Sequence, residues 1–369
     1  MGARDDAPED YRPHGPIEAG HLPPPRWYAD ERVYARALDR VFATSWQWIG
    51  AADQVREPGD VRPFTLLPGS LDEPLVLVND GGTRRVLSNV CTHRCMQVAL
   101  EPGNLRGLRC GYHGRRFGLD GRFVSSPGFE DAEDFPSANE DLAALEVGAF
   151  GGQLFTALEP ERSFDAVLAP IVERLGHLPL EGARHLPERD REFEFDAPWS
   201  AYVENYLDGL HIPYVHAGLN AAIEWDRYDY ELFEGGAWQF ADAKDDEPAF
   251  EVPAGHRDAG RRLAAWYAML FPNLMLNAYP WGVSINLVRP LGPSRTSVRF
   301  ASFVYDESAL GRGAGGDLDR VEREDEAAVL RVARGQRARL ARRGRYAPRH
   351  ERALRHFHAW VAERVADGA

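Results

Sequence analysis

The chain has 369 residues, 44% hydrophobic and 27% charged, with a net charge of −14. That is ordinary globular material with enough apolar residues for two domains, and the acidic balance argues against a nucleic-acid binder, which needs Lys and Arg in excess. No apolar run approaches the roughly 18 residues of a membrane span, the start MGARDDAPEDYRPHGP has no signal-peptide core, and three cysteines make no disulfide framework, so a soluble cytoplasmic protein is expected.

Residues 1–25 are polar and Pro-rich and are expected to stay flexible until something packs over them. From Trp27 to Trp48 the text changes: Val33, Leu38, Val41 and Phe42 recur at helical spacing behind Asp30, which is placed to cap the first turn. One amphipathic helix over 26–45 is predicted. Over 46–155 short apolar runs such as DVRPFTLL, PLVLVN and TRRVLSNV alternate with Gly-containing turns, the pattern of a small all-β domain. The region 156–369 mixes helical text (FDAVLAPIVERLGHL, an interrupted AYVENYLDGLHIPYVHAGL) with strand-like runs between Trp238 and Tyr305 and two closing helices. Strands flanked by helices predict an α+β domain with a large antiparallel sheet covered by helices.

The all-β stretch contains Cys91, His93, Cys110 and His113, a C-x-H and a C-x-x-H separated by sixteen residues. Each half puts a thiolate and an imidazole on one tight turn. These ligand types suit a tetrahedral zinc site; the spacing matches the Rieske arrangement, in which two Cys hold one iron of a 2Fe–2S cluster and two His hold the other. Cys95, left over, reads as a small buried filler.

A second constellation is Asp208-x-x-His211-x4-His216. Asp208 and His211 share one helical face, so the carboxylate can reach an imidazole. Five residues is about 140° on an ideal helix, so both rings converge on one metal only if the helix is distorted, and Pro213 in that interval predicts a distortion, π-type widening being one form. Two imidazoles leave a metal under-coordinated, and a two-His-one-carboxylate triad needs an acid from elsewhere. On the helix starting near Leu318, Val321, Ala328, Val329 and Val332 mark an apolar stripe on which Asp325 falls, with Glu324 as the fallback and Glu326 pointing away.

The WYADERVYARALDRVFATSWQWIG opening, the Cys/His block, ENYLDGLHIPYVH and the acid-bearing helix together resemble the catalytic α subunit of a Rieske non-haem iron oxygenase, over nearly all the chain after residue 25. The resemblance implies a Rieske domain followed by a helix-grip catalytic domain. It implies that Cys91, His93, Cys110 and His113 bind a 2Fe–2S cluster and that His211, His216 and Asp325 bind mononuclear Fe(II). It also implies that Asp208 bridges an iron-bound histidine to a cluster histidine of a neighbouring subunit in a homotrimer. Electrons would come from NAD(P)H through a reductase, with or without a ferredoxin, and the product would be a hydroxylated or N-demethylated small molecule. The ENYLDGLHIPYVH wording is similar to the choline and quaternary-amine branch, with aromatic-ring dioxygenation as the alternative; outside the oxygenases stand a Rieske electron carrier and a structural zinc protein. Where many relatives have Gly and Trp this chain has Cys95 and Arg115, and Leu210 replaces a common Tyr. His356 and His358 read as surface and packing residues, the arginines from Arg331 to Arg345 as a solvated helix face with a docking role for an acidic ferredoxin as the sharper reading, and Trp266, Tyr267, Phe271, Tyr279 and Trp281 as sheet core with some of them lining a pocket.

Overall fold

The structure is a computed structural model that describes residues 11–366. It divides into two compact units, Trp46–Glu161 and a second that joins the chain before Trp46 to the chain from Arg162 onward. Among the described residues no helix is long and apolar enough to cross a membrane.

The Trp46–Glu161 unit is built from short antiparallel strands. Asp60–Leu66, Glu73–Asp80 and Thr83–Ser88 form the middle of a five-stranded sheet, flanked by Gly103–Asn104 and Ala144–Leu145. A three-stranded sheet of Leu108–Arg109, Arg116–Phe117 and Phe123–Ser125 carries the second Cys/His loop. Val61, Val76, Val78, Leu87, Leu108 and Phe117 make one core, and Cys91 and Cys110 are part of it. Short apolar runs separated by Gly turns predicted this, and within each strand successive side chains point to opposite faces, so one set turns inward.

In the other unit, strands Asp229–Phe233, Gly236–Asp242, Leu263–Leu270, Leu274–Tyr279, Gly282–Gly292 and Arg295–Val304 lie side by side in chain order as an antiparallel meander. Arg184–His185 and Arg191–Phe195 both pair with Arg295–Val304 and complete eight strands. Most residues on these strands are buried on both faces, because helices cover the sheet. Helix α1 is Glu31–Ala37, α2 Phe164–Leu175, α3 Trp199–Leu207, α4 Ile212–Val215, α5 Ala217–Ala222, α6 Leu318–Gln336 and α7 Arg352–Val365. Asp30 caps α1 through its Oδ1, which accepts from Arg32 and Val33 N–H at 2.9 and 3.2 Å, and a π-helical turn, Leu38–Phe42, continues the helix.

Of the expected flexible segment 1–25, residues 1–10 lie outside the described residues. Over 11–25 the chain is tied down instead. Tyr11 is 2% exposed, donates to His21 O at 3.1 Å and shares a 2.8 Å hydrogen bond with Tyr346, while its ring packs edge-on against Trp27. Polar composition concealed one aromatic anchor that offsets the cost of ordering the strap.

Candidate metal centres and active site

The two Cys/His loops are built alike. Cys91 N–H donates to Met96 O at 2.9 Å and Cys95 N–H to Cys91 O at 3.0 Å; in the second loop Cys110 N–H donates to Arg115 O at 2.9 Å and Gly114 N–H to Cys110 O at 3.1 Å. The residue four after each cysteine turns the chain through the left-handed region, with φ of 56° at Cys95 and 75° at Gly114. Glycine enters that region freely, whereas a residue with a Cβ is strained there. Cys95 is also exposed, which corrects its reading as a buried filler: its place is set by backbone geometry, not by packing.

Cys91 and Cys110 are each 2% exposed and unbridged. Burial pushes the Cys91 thiol up, against N–H groups of His93 and Arg94 that favour the thiolate. The rings of His93 and His113 lie 4.6 Å apart, and His93 Nδ1 is buried without a hydrogen-bond partner. A buried imidazole nitrogen left unpaired beside two buried thiols is costly unless something binds there, so the donor set fits a metal cluster. Arg115 is 2% exposed and close enough for its charge to act on His93. Its guanidinium lies 5.3, 4.9 and 5.5 Å from the rings of Phe123, Phe129 and Phe135 and donates to Thr92 Oγ1 at 3.0 Å, fastening one loop to the other.

In the second unit the helical run is broken twice. α3 ends at Asp208 (φ −107°, ψ 104°), a 3-10 turn spans Gly209–His211, and α4 ends at His216 (φ −112°, ψ 75°). The distortion expected around Pro213 therefore takes the form of two breaks rather than π-type widening. Gly209 is required at the first: its N–H donates to Tyr230 Oη at 3.0 Å, its carbonyl accepts from Trp225 at 2.8 Å, and a Cβ would stand 2.6 Å from Tyr228 and Tyr230 atoms. Asp208 Oδ1 caps the turn through Leu210 N–H at 2.6 Å.

These breaks bring His211 Nε2 within 3.1 Å of His216 Nε2, and Asp325 Oδ1 within 2.9 Å of His216 Nε2 and 3.5 Å of His211 Nε2. One donor atom from each of the three residues fits within 4.8 Å. Glu324 stands elsewhere: its Oε2 is 2.9 Å from His216 Nδ1 and its Oε1 accepts from Arg320. Asn205 donates to Asp325 Oδ1 at 2.5 Å, and Asp208 Oδ2 is 3.5 Å from His211 Nδ1. Burial works to lower the proton affinity of His211, but Asp208 and Asp325 outweigh it and hold the ring at about 9. Burial opposes ionisation of Asp325, yet the two rings hold it at about 2. Two imidazole nitrogens at 3.1 Å facing one carboxylate are the chemistry of a metal site, and the geometry fits a two-His-one-carboxylate ion.

α6 turns Val321, Asp325 and Val329 of the predicted stripe inward, but not Val332. Val329 and Ala333 are buried while Val332 is 49% exposed, so Glu322, Asp325, Val329 and Ala333 run along the inward side. Glu322 was missed in the sequence, although its i, i+3, i+7 relation to Asp325 and Val329 is a readable signal. The three residues also line a cavity of about 70 Å³ whose wall includes Tyr206, Tyr267, Tyr279, Asn277, Asn286 and Glu322. Tyr202 donates to Glu322 Oε2 at 2.7 Å, and burial, helped by the Asp325 charge, raises the Glu322 proton affinity well above the usual carboxylate range.

Residues that other readings singled out lie apart from this site. His358 is fully buried between Glu204 and Tyr346, and His356 meets Phe233 O. Most of the arginines from Arg331 to Arg345 do not form a helix face, because α6 ends at Gln336. Arg337, Arg343 and Arg345 donate to the carbonyls of Asp196, Leu22 and Glu18.

Comparison with known families matches residues 45–136 to the Rieske [2Fe-2S] domain and residues 183–367 to the ring hydroxylating alpha subunit (catalytic domain). Choline monooxygenase, chloroplastic, of Arabidopsis thaliana is 31% identical over 371 residues, covering 95% of this chain and 84% of the relative. The chain belongs to the Rieske oxygenase α subunits. Among solved structures similar to this oxygenase, a quaternary ammonium Rieske monooxygenase superposes with a TM-score of 0.75 at 20% identity, covering 98% of this chain and 100% of that one. Naphthalene 1,2-dioxygenase from Rhodococcus sp. does so at 0.71 and 18%, covering 95% of each; both likenesses concern the fold. A Rieske domain with this catalytic domain implies a 2Fe–2S cluster and a mononuclear iron.

Proposed function

We propose that the oxygenase hydroxylates or oxidatively N-demethylates a small quaternary amine. The observation that carries this reading is the cavity beside His211, His216 and Asp325: five tyrosines line it and no Lys or Arg does. Aromatic walls with no competing cation favour an ammonium group, and the 31% identity to a choline monooxygenase points the same way. Aromatic-ring dioxygenation is the alternative, which the naphthalene dioxygenase fold also accommodates.

In this proposal Cys91, His93, Cys110 and His113 hold the cluster, and His211, His216 and Asp325 hold the iron. When bound, these groups supply single electrons and activate molecular oxygen for insertion into the substrate. The protein's own part is positional. Asn205 fixes the Asp325 carboxylate, Glu324 orients His216 through Nδ1, and Asp208 does the same for His211. Glu324 is thus assigned to positioning and Asp325 to ligation, since only Asp325 approaches both Nε2 atoms. A reductase, with or without a ferredoxin, as electron source for the cluster, a homotrimer in which Asp208 meets a cluster histidine of the next copy, and a cytoplasmic location belong to the same reading and rest on the family resemblance.

The test is metal content and turnover together. Native protein should carry about three irons per chain, Asp325→Ala should lose about one of them, and Glu324→Gln should keep all. Oxygen uptake should appear with trimethylammonium compounds, accompanied by formaldehyde where the step is N-demethylation and by a hydroxylated product where it is not. Uptake with aromatic acids and none with any amine would reverse the choice of substrate.

A further inference from the structure

The cavity holds one acid that neither ligation nor the orientation of a ligand uses. Glu322 lies one helical turn before Asp325 on α6 and takes part in the walls of both the main cavity and a neighbouring cleft. Tyr202 occupies Oε2, and among the described residues nothing donates to Oε1. The neutral acceptors around it are already engaged: Asn277 Oδ1 accepts from Tyr206 at 2.7 Å, Gln239 Oε1 from Tyr228 at 3.2 Å and Asn286 Oδ1 from Ser284 at 2.8 Å. A primary or secondary ammonium brings two or three N–H donors that each need an acceptor on burial, and the open Oε1 supplies one. An ammonium carrying only carbon substituents brings none and needs charge and aromatic surface alone.

The other end of the ligand is constrained by charge as well. Glu322, Asp325 and Asp208 line the same cavity, the last two balanced by His211, so a carboxylate on the substrate would meet Glu322 with no guanidinium or ammonium in the wall. Two arginines stand in the adjoining cleft. Arg191 is paired with Asp319 at 2.8 Å and Arg189 lies 5.3 Å from the Trp281 ring.

Burial keeps the proton on Glu322, and the fixed charge of a bound ammonium would favour the carboxylate instead. From the cavity walls and the open Oε1 we infer that Glu322 is a specificity residue that supplies the negative charge for a substrate with a fully substituted ammonium head and an uncharged tail. The inference rests on the amine reading above and narrows it, separating alcohol-ended from carboxylate-ended compounds.

Calorimetric binding to the holoenzyme tests it with three probes: choline, its uncharged carbon isostere 3,3-dimethylbutan-1-ol, and glycine betaine. Native enzyme should bind choline about 10- to 100-fold tighter than either of the others. Glu322→Gln should remove most of that preference and leave the alcohol's affinity unchanged, with iron content and visible spectrum intact. Tyr202→Phe, which frees the carboxylate from its one donor, should loosen choline by a smaller factor and leave the alcohol alone. A preference for choline that survives both substitutions overturns the role of Glu322 while leaving the amine reading standing. Equal binding of choline and the alcohol to native enzyme overturns both. Betaine binding as tightly as choline overturns the uncharged tail and points to Arg189.

Discussion

Protein freed of its mononuclear metal by chelation should lose stability as the pH rises from about 6.5 to about 9, and the cause is His211. In the metal-free site burial opposes the charged ring, but Asp208 and Asp325 hold a proton on it, so its affinity climbs from 6.5 to about 9. A group whose folded-state value lies above the unfolded one contributes stability that is complete below the unfolded value and vanishes as the pH passes the folded one. The interval corresponds to about 3 kcal/mol, little reduced by solvent because the side chain is 18% exposed. Asp325 is the mirror image. Held at about 2, its contribution is present above its ordinary 3.8 and disappears as the pH falls through about 2. The two shifts describe the same contacts and are not added. Urea melts of chelated native protein and His211→Gln, compared from about pH 6 to 9.5, should show the native curve falling by about 3 kcal/mol more than the variant's. Parallel curves would refute the reasoning. With metal present the sign reverses, because the ion needs the lone pair that the proton occupies, so affinity should rise by up to about tenfold per pH unit until about pH 9.

Cys95→Gly should stabilise the Trp46–Glu161 unit by about 0.5–1 kcal/mol, since it removes a Cβ from a φ of 56° at some cost in unfolded-chain entropy; an unchanged or lowered melting temperature of the cluster-loaded protein would contradict this. Arg115→Met should lower the reduction potential of the cluster by taking a buried cation from near its ligands. Spectroelectrochemistry reads that directly, and an unshifted midpoint would place the residue's role in fastening Thr92 alone.

The parts of the molecule legible beforehand were those with local signatures. Short apolar runs broken by Gly turns pointed to the β unit, and ligand spacing, with the place of Asp325 on the α6 stripe, pointed to side chains that the fold brings together. What failed depended on tertiary partners. The apolar stripe on α6 was drawn through Val332, which faces solvent, and passed over Glu322, whose inward position polarity alone assigns to water. Cys95 was assigned to the core from its residue type, whereas the hydrogen-bond pattern shared with Gly114 sets its conformation. Tyr11 was lost in polar text because its partners Tyr346 and Trp27 come from distant segments.

That same Tyr11 reaches further than the strap it anchors. Its hydroxyl meets Tyr346, Tyr346 meets His358 at 2.7 Å, and His358 meets Glu204 at 2.5 Å on α3, next to Asn205, which holds the Asp325 carboxylate. The back of α3 is thus braced by a relay of buried polar side chains from both outlying stretches of the sequence. Trimming either stretch to ease crystallisation or attach a tag would therefore loosen the support of Asn205 and, through it, of the Asp325 carboxylate.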